Sequence, residues 1–166
     1  MCKRIYILFF ICFSIVSNAQ IIPRNLALRK PLGINTQLFS YTGAIQQFIV
    51  PNRVTAIQVN AIGALGGIGG GGQPGGAGAN ITTTLNVTPG QVLYIVVGGF
   101  PGQSATAKYG FAGNGGSNSS GTGYGGAGGG LSGVFTSSSP ATANALVVAG
   151  GGGGGSGSGG TINYNG

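Results

Sequence analysis

Lys108 and Tyr109, adjacent in the stretch SATAKYG, carry the most reactive side chains this sequence offers beyond its first nineteen residues. A Ser/Lys or Tyr/Lys arrangement is the catalysis they would permit, provided the lysine were desolvated and held in place. The local sequence works against that, because Lys108 lies in a glycine-rich stretch without the apolar strand-to-helix setting that positions a reactive lysine. From Gln20 onward there is no His, Asp, Glu or Cys, which removes every common metal-ligating side chain and nearly every general acid or base. The expectation is a protein that is not an enzyme, with no catalytic residue, no metal and no cofactor.

Glycine suggests a second kind of chemistry, the phosphate-binding loop. Loose G-x-G-x-x-G matches fall within Gly76 to Gly99 and Gly121 to Gly130. A dinucleotide loop must open a helix and be followed about 20 residues later by an acidic residue. No helical period follows any of these tracts, no acid exists, and no GK[ST] occurs, so the 38 glycines produce the matches by composition alone. RNA binding by glycine-rich chains relies on arginine interleaved with glycine and aromatics. Here the glycine tracts hold no Arg and one Lys, Lys108, so no nucleic-acid partner is expected.

The N-terminal MCKRIYILFFICFSIVSNAQ has Lys3 and Arg4, an apolar run from Ile5 to Val16, and Ser17-Asn18-Ala19 with small residues where a signal peptidase reads. This is the pattern of a secretory leader over residues 1–19, cleaved between Ala19 and Gln20. The apolar run is short against the roughly 20 residues of a spanning helix. No transmembrane anchor is therefore expected once the leader is removed, and the bulky Phe9-Phe10-Ile11 before Cys12 argues against a lipid anchor. Both cysteines, Cys2 and Cys12, lie in the leader, so the exported chain has no disulfide although its compartment would allow one. Of the formal +7, Lys3 and Arg4 leave with the leader, and Arg24, Arg29 and Lys30 cluster ahead of any strand pattern. The basic balance thus marks a solvated N-terminal segment, 20–38, more than a binding face.

Strand patterns begin after it. Ile45 to Val50 reads as a strand closed by the turn signal Val50-Pro51-Asn52-Arg53. Ile57, Val59 and Ala61 then alternate with Gln58 and Asn60, the period of a half-buried strand. NITTTLNV, Asn80 to Val87, alternates again and ends in the tight turn Thr88-Pro89-Gly90-Gln91. VLYIVV, Val92 to Val97, is continuously apolar and β-branched, as in a central strand covered on both faces. LSGVF at Leu131 to Phe135 and ALVVA at Ala145 to Ala149 are shorter strands of the same kind, and no stretch sustains a helical period.

The glycines concentrate in Gly63 to Ala79, Gly98 to Gly133 and Gly150 to Gly160, each directly after an apolar strand. A flexible linker is one reading, and glycine's large ordering entropy speaks for it. However, the tracts also hold Leu65, Ile68, Phe100, Phe111 and Tyr124 and almost no charge, which suits solvated linkers poorly. The alternative is extended threefold helices, which have no internal hydrogen bonds and can satisfy their backbone laterally when side chains are absent. Glycine is then required by closeness.

The order of YTGAIQQFIVPNRVTAIQVNAIGALGGIGGGG, TTTLNVTPGQVLYIVVGG, YGGAGGGLSGVF and ALVVAGGGGGG, from about Tyr41 to Gly155, resembles the glycine-rich domain of secreted and cell-surface proteins. That family includes bacterial exported proteins and the extracellular region of the anaplastic lymphoma kinase and leukocyte tyrosine kinase receptors. The resemblance implies an all-β fold, a tumour-necrosis-factor-like β-sandwich with glycine insertions packed as a polyglycine II-type helix bundle, over residues 39–166. It carries over no catalytic residue. Where many members read GGGASD, then an apolar residue and Arg, this chain has Gly133 and Phe135 in place of the acid and the base. Members also continue past VVAGGGGGG with more strands while this sequence stops at TINYNG, so the expected domain is truncated at its C-terminus, with an incomplete sheet.

Function is expected to be that of a non-catalytic exported module, structural, adhesive or ligand-binding, at the cell surface, with a protein or glycan partner. Phe100, Tyr109, Phe111 and Tyr124 are the candidate surface contacts, since aromatics offer large area at small entropic cost; for each the competing role is filling the core or capping the bundle. The alternative is a disordered glycine-rich matrix or cell-wall protein without a defined site. Sequons occur at Asn80, Asn86 and Asn118.

Overall fold

The computed structural model describes residues 4–9, 35–116 and 123–157. Their eight strands are β1 (Arg4–Phe9), β2 (Thr36–Ser40), β3 (Gln46–Ile49), β4 (Ala56–Ile62), β5 (Asn80–Asn86), β6 (Val92–Val96), β7 (Ser132–Phe135) and β8 (Ala145–Ala149). One 3-10 turn, Thr142–Asn144, is the only helical element among the described residues. The fold is all-β. Its strands form two four-stranded sheets, β2-β1-β4-β5 and β3-β6-β7-β8, with every recorded pairing antiparallel.

Alternation decides which side of each strand is covered. In β4, Ile57, Val59 and Ala61 are fully buried while Gln58 and Asn60 are half-buried. β5 shows the same phase, with Ile81, Thr83 and Leu85 half-buried and Thr82, Thr84 and Asn86 exposed. β6 buries Leu93, Ile95 and Val96, consistent with its interior place between β3 and β7. Residues of both sheets join one hydrophobic cluster, in which Phe39 of β2 meets Phe48 of β3 edge to face at a centroid distance of 6.2 Å. A buried polar group, Ser132, is satisfied there by accepting from the Gly98 N–H at 3.0 Å.

Two strands differ from expectation. β2 begins at Thr36, so the boundary drawn at residue 39 cuts a strand whose first three residues are exposed and carry little apolar signal. β8 lies at a sheet edge with Leu146 exposed, unlike the doubly covered strand its apolar run suggested. β1 lies in the segment read as a leader. A short apolar run carries no period of its own, so the same residues satisfy a leader's requirement and a strand's.

Each strand-to-glycine junction continues as backbone pairing. The β4–β5 ladder ends at Ile62↔Asn80 and runs on as N–H bonds from Gly63, Gly66 and Gly69 to the carbonyls of Ala79, Gly76 and Gln73 at 2.8, 2.9 and 2.9 Å. Ala64, Gly67 and Gly70 donate to a second segment, at Gly130, Ala127 and Tyr124 (2.9, 2.7 and 2.8 Å). The carbonyls of Ala64 and Gly67 accept from a third, at Gly152 and Gly155 (2.9 and 2.8 Å). That third segment accepts in turn from Gly129 and Gly126, and from Gly76 and Ala79. Every partner recurs at intervals of three residues.

Closeness follows the same interval. A Cβ on Gly151, Gly154 or Gly157 would run into the carbonyls of Gly129, Gly126 and Gly123, and one on Gly152 or Gly155 into those of Gly76 and Gln73. On Gly150 or Gly153 it would meet nothing within 4 Å. The next position in that open phase is Ser156, the first residue of the tract with a side chain beyond Cα. In the first tract the half-buried Leu65 and Ile68 likewise stand three apart among buried glycines and Ala64.

Candidate functional site

The β7–β8 connection carries the site. After Phe135 the chain leaves β7 through Ser137, Ser138 and Ser139, passes Pro140 and returns at Ala145. Asn144 fixes this loop from both ends. Its carbonyl accepts from the Thr136 N–H at 2.9 Å, its Oδ1 accepts from the Ala141 N–H at 3.0 Å, and its Nδ2 donates to the Ser139 carbonyl at 2.9 Å. The loop is thereby held as a wall beside the hairpin.

Between this wall and the strands lies a surface cavity of about 400 Å³, lined by Phe111, Leu131, Phe135, Pro140, Thr142 and Val148 with two alanines. That volume is in the range of small-molecule pockets. Phe135 is almost fully buried, whereas Phe111 is 67% exposed. Phe111 also sits at φ 56°, beside Gly110 at φ 114°. A bulky residue in the left-handed region costs on the order of 1–3 kcal/mol, and Phe111 recovers little of it by burial. Such a conformation points to a role outside the core.

The lining is apolar apart from the Thr142 hydroxyl, and none of its side chains titrates in the usual range. What such a lining can accommodate is a neutral apolar or aromatic group. This cavity escaped the sequence reading because its residues come from three separate segments; the one local signal was Pro140 in the turn cluster SSSPATAN.

The other expected contacts do not converge on it. Phe100 is 38% exposed but is not part of the lining. Tyr124 donates its hydroxyl to the Gln103 carbonyl at 3.4 Å, and its own carbonyl accepts from Gly70. Tyr109 is half-buried, its carbonyl accepts from Gly99, and burial pushes its phenol above the ordinary tyrosine range. Lys108 is exposed, and the nearby Ser104 hydroxyl is engaged with Thr106, accepting from its N–H at 2.9 Å. Asn80 and Asn86 are exposed at the two ends of β5. Ala19, Gln20 and Asn118 lie outside the described residues.

Among the described residues no helix is long and apolar enough to cross a membrane. Comparison with protein-family models, with curated proteins and with solved structures finds no match to the chain.

Proposed function

We propose that this chain is an exported, non-catalytic module of the cell surface in which a polyglycine II-type bundle stiffens a tumour-necrosis-factor-like β-sandwich. Its apolar cavity binds a neutral group of a protein or glycan partner. The observation that carries this reading is the lateral hydrogen bonding at every third residue. An extended threefold helix presents its backbone outward in that repeat, and glycine allows the neighbours to approach. A tract built this way is stiff, so it supports a binding loop instead of tethering it. The disordered-matrix alternative has no counterpart to that repeat.

Phe111→Ala tests the binding role. Loss of a central aromatic anchor costs about 2 kcal/mol or more, so affinity for a partner found by screening surface glycans and proteins falls roughly 30-fold. Thermal stability stays level, since Phe111 contributes little to the core. Unchanged affinity in every positive pair, or a collapse of stability, would contradict the assignment.

A further inference from the structure

The sequence contains no Asp or Glu, so no cationic side chain of this protein has a side-chain counter-ion within the chain. Among residues 35–157 the cations are Arg53 and Lys108, both exposed. Lys108 has its stem held by packing. A Cβ on Gly99 would lie 2.6 Å from Lys108 Cβ and 2.7 Å from Tyr41 Cε2, so the base of the lysine and the Tyr41 ring meet over the bare backbone of Gly99. A stem packed in this way keeps the ammonium in water at a defined place.

Lys108 also stands at a fixed separation from the cavity. Between it and Phe111 lie Tyr109 and Gly110, whose carbonyls accept from the N–H groups of Gly99 at 2.8 Å and Leu131 at 2.7 Å. Leu131 itself lines the cavity. The base of the loop is closed by the Gly115 N–H on the Ala105 carbonyl and by the Ala107 N–H on Asn114 Oδ1, both at 2.8 Å. Three residues of chain span roughly 10 Å at most. One pinned loop therefore carries the cation and the exposed aromatic wall of the cavity within that backbone distance.

We propose that the partner of this site is a polypeptide segment carrying an acidic side chain close to a large apolar one, the apolar side chain entering the cavity and the carboxylate pairing with Lys108. The inference deepens the cavity reading and rests on it. Thr142 supplies the one polar side chain of the lining, so a sugar ring buried there would give up the water on its hydroxyls without regaining their hydrogen bonds. A Leu or Phe side chain has no hydroxyl to leave unpaired. The anion must come from the partner, because the chain offers no acidic side chain of its own. An extended ligand covers the distance between the two points in about three residues, which sets the spacing of its acidic and apolar groups.

Selection of phage-displayed random dodecapeptides on the purified full chain, followed by affinity measurements on the synthetic peptides recovered, tests it. The recovered peptides are expected to carry Asp or Glu within about four positions of Phe, Tyr, Trp or Leu. Lys108→Gln should weaken them about two- to fivefold at low salt and leave them unchanged at about 1 M salt, where the Debye length falls to about 3 Å. Arg53→Gln makes the same charge change in another turn and should leave the affinity level. Peptides without an acidic preference, indifference to Lys108→Gln, an equal loss in Arg53→Gln, or failure to recover any peptide would each overturn the proposal. So would a uronate oligosaccharide that binds in competition with the peptides and depends on both Phe111 and Lys108. Phe111→Ala keeps the two readings apart. Peptides that ignore Phe111→Ala would sink the cavity reading, whereas peptides that need Phe111 and not Lys108 would sink the acidic pairing alone.

Discussion

Gly154→Ala is expected to destabilise the protein by about 1–3 kcal/mol, whereas Gly153→Ala, one residue earlier, leaves stability unchanged or raises it by about 0.4–1 kcal/mol. At Gly154 the added methyl has to displace the Gly126 carbonyl. That carbonyl belongs to a residue whose own N–H donates to Gly155, so moving it disturbs the adjoining bond. At Gly153 the added methyl meets nothing within 4 Å and the backbone is not in the left-handed region. There the substitution acts on the unfolded chain, which loses conformational freedom. Gly150 belongs with Gly153, and Gly151, Gly152 and Gly155 belong with Gly154. Thermal melts of the single alanine variants from 150 to 155 should therefore show tolerance at intervals of three. Uniform tolerance would mean a linker, and uniform intolerance would mean packing without this repeat.

Gly133→Asp should be the most damaging single substitution in the second sheet, costing at least about 3 kcal/mol at neutral pH. Gly133 pairs with Val96 on one side and Val148 on the other. A Cβ there would lie 2.8 Å from the Val147 carbonyl and 3.0 Å from the Phe135 ring. The carboxylate would be buried, and the cationic side chains among residues 35–157, Arg53 and Lys108, are both exposed. Burial without a partner disfavours the charged form, so the folded-state pKa of the new Asp rises above its unfolded value. The folded form then holds the proton more tightly, and the loss of stability is smallest below the unfolded pKa and grows as pH rises through and beyond it. Equilibrium unfolding at pH 3 and pH 7 reads this directly, and a loss independent of pH would show that the carboxylate reaches water. In the resembling family this position carries an acid with a base two residues on. In this chain the Phe135 ring lies over Gly133. Gly133→Asp combined with Phe135→Arg should couple by about 0.5–3 kcal/mol if the resemblance extends to this strand.

Much of the strand framework was legible because period two is unambiguous where polar residues mark the outer face. Ile57, Val59 and Ala61 showed their phase in this way, and the structure buries all three. β2 was invisible because Thr36, Gln37 and Leu38 are all exposed and present no contrast between faces. β1 was read differently because Ile5 to Phe9 is apolar throughout, so composition could not separate a strand from a leader core. The spacing of side chains within the glycine tracts was visible in Leu65 and Ile68 and in Ser156, the first serine after the glycine run from 150 to 155, yet its meaning was not. A threefold phase is recognisable only when the neighbouring segments are known, because each glycine answers to a different one. The cavity was hidden for a related reason, since Phe111 and Pro140 are brought together by the fold alone.

The central claim is that the glycine tracts are ordered by lateral backbone hydrogen bonds and not tethered as linkers. Amide exchange of the tract residues in the purified chain from Gln20 tests it most directly. Gly66, Gly67, Gly126, Gly129, Gly152 and Gly155, whose N–H groups donate to carbonyls of neighbouring glycine-rich segments, are expected to exchange orders of magnitude more slowly than unstructured glycine. Exchange of all six at random-coil rates in a sample whose β4 and β6 amides remain protected would contradict it.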